Sequence, residues 1–128
     1  MSLFCKLTNS VASSALRETL DGLSARQKAI ANNIANVETP GYKRSHVSFE
    51  AELKRVMERG RPHEVITNLK TLEPVRQTDT FSPSRTDGNN VNIDAEVADL
   101  AKTSLHYQAA VTLMELRGSI VRAAIEGR

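Results

Sequence analysis

From Ser10 to Asn36, large side chains recur in steps of four and three: Leu16, Leu20, Leu23, Gln27, Ile30, Ile34 and Val37. That period is the seam of a coiled coil, with Gln27 as one polar interruption, and it predicts a long amphipathic helix. Ala12, Ala15, Ala25, Ala29, Ala31 and Ala35 flank the seam with small side chains. Pro40 and Gly41 stop it, because proline cannot continue a helix and glycine accepts the positive φ beyond a helix end. Near the other end, Ile93, Val97, Leu100, Ser104, Tyr107, Val111, Met114, Gly118, Val121 and Ile125 also step by four and three. Asp94 is the predicted N-cap of this second helix, and Glu96 places negative charge where the helix dipole favours it.

The second helix carries another stripe around its side: Ala101, Leu105, Leu113, Leu116, Ile120 and Ala124. One partner helix cannot cover both stripes, so a two-helix chain must find further partners in other molecules. Between the helices the pattern fails. "SFEAELKRVMERG" predicts a short helix over about 48–59, with Phe49, Leu53, Val56 and Met57 inward and Gly60 ending it. Beyond it, proline, Asp-Gly and weak periodicity predict loop or one short hairpin. The resulting division is a flexible N-terminus over 1–9, an N-terminal helix over 10–40, a middle segment over 41–92 and a C-terminal helix over 93–128. The fold class is mainly α, two long terminal helices pairing as a coiled-coil-like hairpin around an irregular or extended middle. In that pairing Leu23, Ile30 and Ile34 are predicted to face Val97, Leu100, Val111 and Met114.

Composition narrows the picture in the same direction. Only 4% of the 128 residues are aromatic and none is tryptophan, which disfavours a β-sandwich or barrel. The formal charge of +2 does not by itself imply nucleic acid. A single cysteine, Cys5, leaves no internal disulfide and no cysteine-built zinc site. No stretch approaches the roughly 20 apolar residues needed to cross a bilayer. "MSLFCKL" is too short for a signal-peptide core, so any export is expected to proceed without a cleaved secretory signal.

Catalytic chemistry finds no foothold. The six glycines are scattered, and none forms a phosphate loop. His46, His63 and His106 lie far apart and lack the spacing of a helical metal site. Glu50, Glu52 and Glu58 interleave with Lys54, Arg55 and Arg59, the signature of a solvated helix face. The basic group Lys43, Arg44, Lys54, Arg55, Arg59 and Arg61 comes with few aromatics and no recognisable helix-turn-helix, which argues against nucleic acid. No catalytic, metal or cofactor site is expected.

The stretch "AIANNIANVETPGYKR", residues 29–44, poses the sharper question. Asparagine is a mediocre helix former, yet Asn32, Asn33 and Asn36 crowd the end of the first helix. From the residues alone, a plain helix stop and an amide set that fixes a docking register explain them equally well. The run Asn32-Asn33-Ile34-Ala35-Asn36 followed by Thr39-Pro40-Gly41-Tyr42-Lys43 resembles the N-terminal signature of flagellar rod and hook axial proteins. The likeness continues through "SFEAELKRVMERG" and "DGNNVNIDAEVADLAKTSLHYQA". It is closest to the proximal rod members, since Ser104-Leu105-His106-Tyr107-Gln108 keeps Tyr-Gln but not the Ser-Arg expected of other axial proteins.

The resemblance implies a structural subunit that stacks helically into the flagellar drive shaft. It implies export through the flagellar type III apparatus and residence in the basal-body rod, in the periplasmic space. Implied neighbours are further copies of the chain, FlgC-, FlgF- and FlgG-like rod proteins, FliE, the MS ring and export-gate proteins. It also implies subunit-interface roles for Asn32, Asn33, Asn36, Thr39, Pro40, Gly41, Tyr42 and Lys43. On the second helix the same role falls to Tyr107, Gln108, Val111, Met114 and Val121. The rival readings are a FlgC-like rod subunit, or a soluble coiled-coil regulator or export chaperone.

Overall fold

A computed structural model describes residues 10–127; the expected flexible segment 1–9, with Cys5 in it, lies outside the described residues, as does Arg128. Helix α1 spans Val11–Ala35 and starts on Ser10, whose hydroxyl accepts from the Ser13 backbone N–H at 3.3 Å. A side-chain oxygen at that position satisfies one of the backbone donors a helix start leaves open. Helix α4 spans Ile93–Glu126 and ends on Gly127 in the left-handed region at φ 69. Its N-cap is Asn92, which accepts from Asp94 and Ala95; Asp94, the predicted cap, lies inside the first turn.

The two helices run antiparallel. Asn33 meets Glu96 near one end, Gln27 meets Ser104 further along, and Ser13 meets Arg117 near the other. This is the mainly α hairpin that the two periodic stretches predict, with one correction to its seam. The row of α4 turned toward the rest of the chain is Glu96, Leu100, Thr103, Tyr107, Ala110, Met114, Arg117 and Val121. It shares Leu100, Tyr107, Met114 and Val121 with the predicted seam. Val97, predicted to face α1, is exposed, as are Ile93 and Ile125. The physical reason is that Glu96 and Arg117 find bonding partners inward, at Arg44, Asn33, Ser10 and Ser13. Paired polar groups can occupy an inner row that a hydrophobic pattern assigns to apolar side chains.

The middle segment is more structured than its pattern suggests. Strand β1 (Ser45–Ser48) pairs antiparallel with β2 (Val75–Thr78), Ser45 opposite Thr78 and Ser48 opposite Val75. Ser45 and Val47 point inward and His46 and Ser48 outward, the alternation a pleated strand requires. Helix α2 covers Glu50–Glu58 and helix α3 covers Pro62–Lys70. Inside the stretch read as loop, α3 begins with Pro62 in its first turn and Glu64 reaching back to the Arg61 N–H at 3.0 Å. Nine residues give too little length for a periodic signal; α3 exists because Val65 and Leu69 dock on Ala15, with Val11, Leu53 and Val56 around them. In α2, Leu53 and Val56 are half-buried, but Met57, expected inward, is exposed.

The main core gathers Leu23, Ala29, Val47, Phe49 and Ala110, with Leu20, Ala25, Leu53 and Tyr107 packed on it. Phe49 lies flat against Gly22, where an added Cβ would stand 2.6 Å from the ring. Arg26 then covers Phe49, its guanidinium 5.1 Å from the ring centre and bonded to the Val47 carbonyl and Glu50. A Gly22→Ala change tests this packing. Helix propensity alone favours alanine by about 1 kcal/mol, whereas overpacking costs about 1–3 kcal/mol. The clash involves a whole ring, so packing is expected to win, with a lower urea midpoint than the parent; a higher midpoint contradicts the Phe49 placement.

Candidate assembly interface

Where α1 ends, the chain must turn, and the turn's polar groups need partners. Asn36 serves as the C-cap: its N–H reaches the Asn32 and Asn33 carbonyls, and its side-chain amide donates to Asn32 O at 2.8 Å. Thr39 donates through its hydroxyl to Asn36 Oδ1 at 3.1 Å. Gly41 then takes φ 72, which glycine adopts without strain. The carbonyls of Asn36, Val37 and Thr39, each already accepting from Thr39 N–H, Arg85 and Tyr42 N–H respectively, also share the two N–H groups of one side-chain amide, Asn89 Nδ2, at 2.9, 3.1 and 2.8 Å. Asn89 comes from the segment just before α4. One elbow caps the other.

Asn33 is 0% exposed. Its Nδ2 donates to Ser45 O at 2.8 Å and to Glu96 Oε2 at 3.0 Å. Its Oδ1 accepts from the Ser45 N–H at 2.9 Å and the Tyr42 hydroxyl at 3.2 Å. Both donors and both lone pairs of the amide are therefore used, joining α1, β1 and α4 at one point. Glu96, also fully buried, accepts from Arg44 Nε at 2.8 Å through its other oxygen. Burial opposes the charge on Arg44, but the hydrogen bond and charge of Glu96, then Asp79, hold its pKa above the usual range. Asn90 bonds the Arg44 N–H at 2.7 Å and the Asp79 carbonyl at 2.8 Å, closing the network.

Asp79 in turn holds the loop after β2. Its carboxylate accepts from the Ser82 hydroxyl at 2.5 Å and from the Ser82 and Phe81 N–H groups, each at 3.0 Å. Those bonds, the Ser82 ones foremost, with help from Arg44, hold its pKa to about 2. A depressed carboxylate pKa stabilises the turn above the ordinary value of 3.8, and that contribution disappears as pH falls through about 2. The Phe81 and Ser82 amide resonances are accordingly expected to shift together near pH 2; a midpoint close to 4 contradicts the bonding.

The interface residues implied by the resemblance therefore divide. Asn33 lies inside the chain, fully bonded, and Asn36 is the cap. Asn32, Thr39, Pro40 and Gly41 are exposed at the elbow, and Tyr42 and Lys43 are half-buried, Lys43 bonding Ser84 at 2.5 Å. Tyr107, Met114 and Val121 lie half-buried along the inner row of α4, with Val111 half-buried beside it and Gln108 exposed. Sequence reasoning gives Asn89 and Asn90 no role, and reads Arg44 only as part of a basic group and Glu96 only as a first-turn charge. A usable signal existed: two asparagine pairs, 32–33 and 89–90, flank the helix ends that a hairpin must bring together.

On a face of α4 turned away from its inner row, around the helix's side, Leu105, Leu113, Leu116 and Ile120 are each more than half exposed, with Ala101, Ala109 and Ala124 between and beside them. Covering the remainder of four such side chains is worth roughly 1 kcal/mol each, against an association cost of about 4–15 kcal/mol. One such contact makes a weak pair. Contacts on several sides at once, as in a helical array, make a stable body. Among the described residues no cluster of three metal-ligating side chains occurs, and no helix is long and apolar enough to cross a membrane.

Residues 11–43, α1 and its elbow, match the family described as flagella basal body rod protein. The chain is 41% identical over 102 residues to flagellar basal body rod protein FlgB of Borrelia hermsii, covering 69% of this chain and 76% of that one. It is 34% identical over 117 residues to FlgB of Salmonella typhimurium, covering 80% and 85% of the two chains. With FlgB of Bacillus subtilis the identity is 30% over 119 residues, 88% and 91% of the respective lengths. Likeness at that level runs through both helices and the middle segment, well beyond the 11–43 signature, and on it this chain belongs to the flagellar basal-body rod protein family.

Proposed function

We infer that the chain is a structural subunit of the flagellar basal-body rod, at its proximal end, where it carries torque as one brick of a helical shaft. Its work is mechanical, not enzymatic. The observation that carries this reading is the uncovered apolar face of α4, which a single chain has no means to bury. The relatives named FlgB support the proximal assignment over a FlgC-like one.

As a rod-family member the chain associates with other basal-body components. The finer proposal is that its neighbours are copies of itself, FlgC-, FlgF- and FlgG-like rod proteins, FliE, the MS ring and the export gate. Export through the flagellar type III route, without a cleaved signal, and a final position in the periplasm complete the proposal, supported by the family likeness. At the interface, Leu105, Gln108, Leu113, Leu116 and Ile120 on α4 and Asn32, Thr39 and Pro40 at the elbow are offered as contact residues. Deleting the gene is expected to abolish rods and swimming, and a tagged copy is expected to restore both and co-purify with basal bodies. Intact rods in the deletion strain, or a complementing copy found only in the cytoplasm, contradict the reading and favour a regulator or chaperone.

A further inference from the structure

Phe81 is 97% exposed, the most exposed large apolar side chain among the described residues. It does not sit on a loose loop: Asp79 ties the Phe81 and Ser82 N–H groups, and Asp79 is itself tied through its N–H to the Arg44 carbonyl at 2.8 Å and through its carbonyl to Asn90. The chain thus holds a phenyl ring in solvent on a prearranged turn. Elsewhere on the same chain an apolar groove of about 360 Å³ opens between α1, α2 and α4, over Leu16, Leu23, Phe49, Leu53, Ala109 and Leu113. Ala109 and Leu113 also belong to the exposed face of α4, so the groove is continuous with the surface assigned above to subunit packing.

We propose that Phe81 of one subunit inserts into the α1–α2–α4 groove of a second copy of this chain. Resting on the rod reading, this names one of its subunit contacts. Knob and groove are different patches of one molecule, so the contact is head-to-tail and is compatible with a propagating helical array, which a two-fold contact is not. Lys43, which pairs with no carboxylate among the described residues, stands beside the turn through Ser84, whereas Glu50 at the groove is already paired with Arg26, so the contact rests on the apolar ring and groove and not on charge. Fixing the backbone of the turn beforehand lowers the entropy lost on docking, leaving only the ring's own rotations to be ordered.

The test places the photo-crosslinking residue p-benzoylphenylalanine at position 81, a site too exposed for the change to disturb folding, and irradiates purified basal bodies. The expected product is a dimer of this chain whose linked peptide contains residues 16–23, 49–53 or 109–113. Ala109→Trp, which fills the groove from an exposed position, is expected to reduce that product about tenfold or more. Rods that contain the variant but give no such dimer, or link position 81 to another protein or another surface, overturn the proposal and leave the rod assignment standing. Basal bodies that lack the parent chain altogether overturn both.

Discussion

Replacing Asn33 with alanine is expected to unfold the elbow and with it the pairing of α1 and α4. The change strands the Ser45 N–H and carbonyl, the Tyr42 hydroxyl and one oxygen of buried Glu96. Each stranded buried group costs about 1–3 kcal/mol, and because the groups share one network their costs do not simply add. A net loss of about 3–5 kcal/mol is expected, as for breaking a buried ionic network. Small domains have about 5–15 kcal/mol in total, so the loss is severe. Urea unfolding followed by circular dichroism, with amide exchange at Ser45, measures it. Asn36→Ala is the comparison: it removes an exposed cap bond and is expected to cost about 1 kcal/mol or less. Equal losses at the two positions contradict the internal role of Asn33.

The second large effect is on assembly. Changing both Leu116 and Ile120 to glutamate alters side chains that touch little within the chain, so stability is expected to change by less than about 1 kcal/mol. In a rod, the same change buries two carboxylates in an apolar contact, at a cost of several kcal/mol, in every subunit. The variant is expected to fold like the parent yet fail to enter basal bodies, and cells are expected not to swim. Normal swimming with the variant incorporated contradicts the assignment of this face.

What the sequence announced follows from range. The two long helices are legible because their period repeats over many turns, and Pro40-Gly41 marks the end of the first locally, whereas the start of the second is read two residues late, at Asp94 in place of Asn92. The second stripe of α4 was legible for the same reason. The inner row was misread because Glu96, Thr103 and Arg117 turn inward, and nothing local tells a paired polar residue from a solvated one. Helix α3 is not legible because tertiary contacts with Ala15, Val11, Leu53 and Val56, and not a local period, hold it. The asparagines were half understood: their presence asked for a bonding role, but the partners of Asn33 lie 12 and 63 residues away in the chain. Asn89 and Asn90 looked like an ordinary turn until the hairpin placed them against the end of α1.

Cryo-electron microscopy of the basal body at side-chain resolution tests the central claim most directly. The account predicts α4 with Leu105, Leu113, Leu116 and Ile120 covered by neighbouring rod subunits, while Asn33 keeps its bonds to Ser45 and Glu96 within the subunit. A rod in which that face of α4 meets solvent, with Asn33 turned out to bond a neighbour, contradicts it.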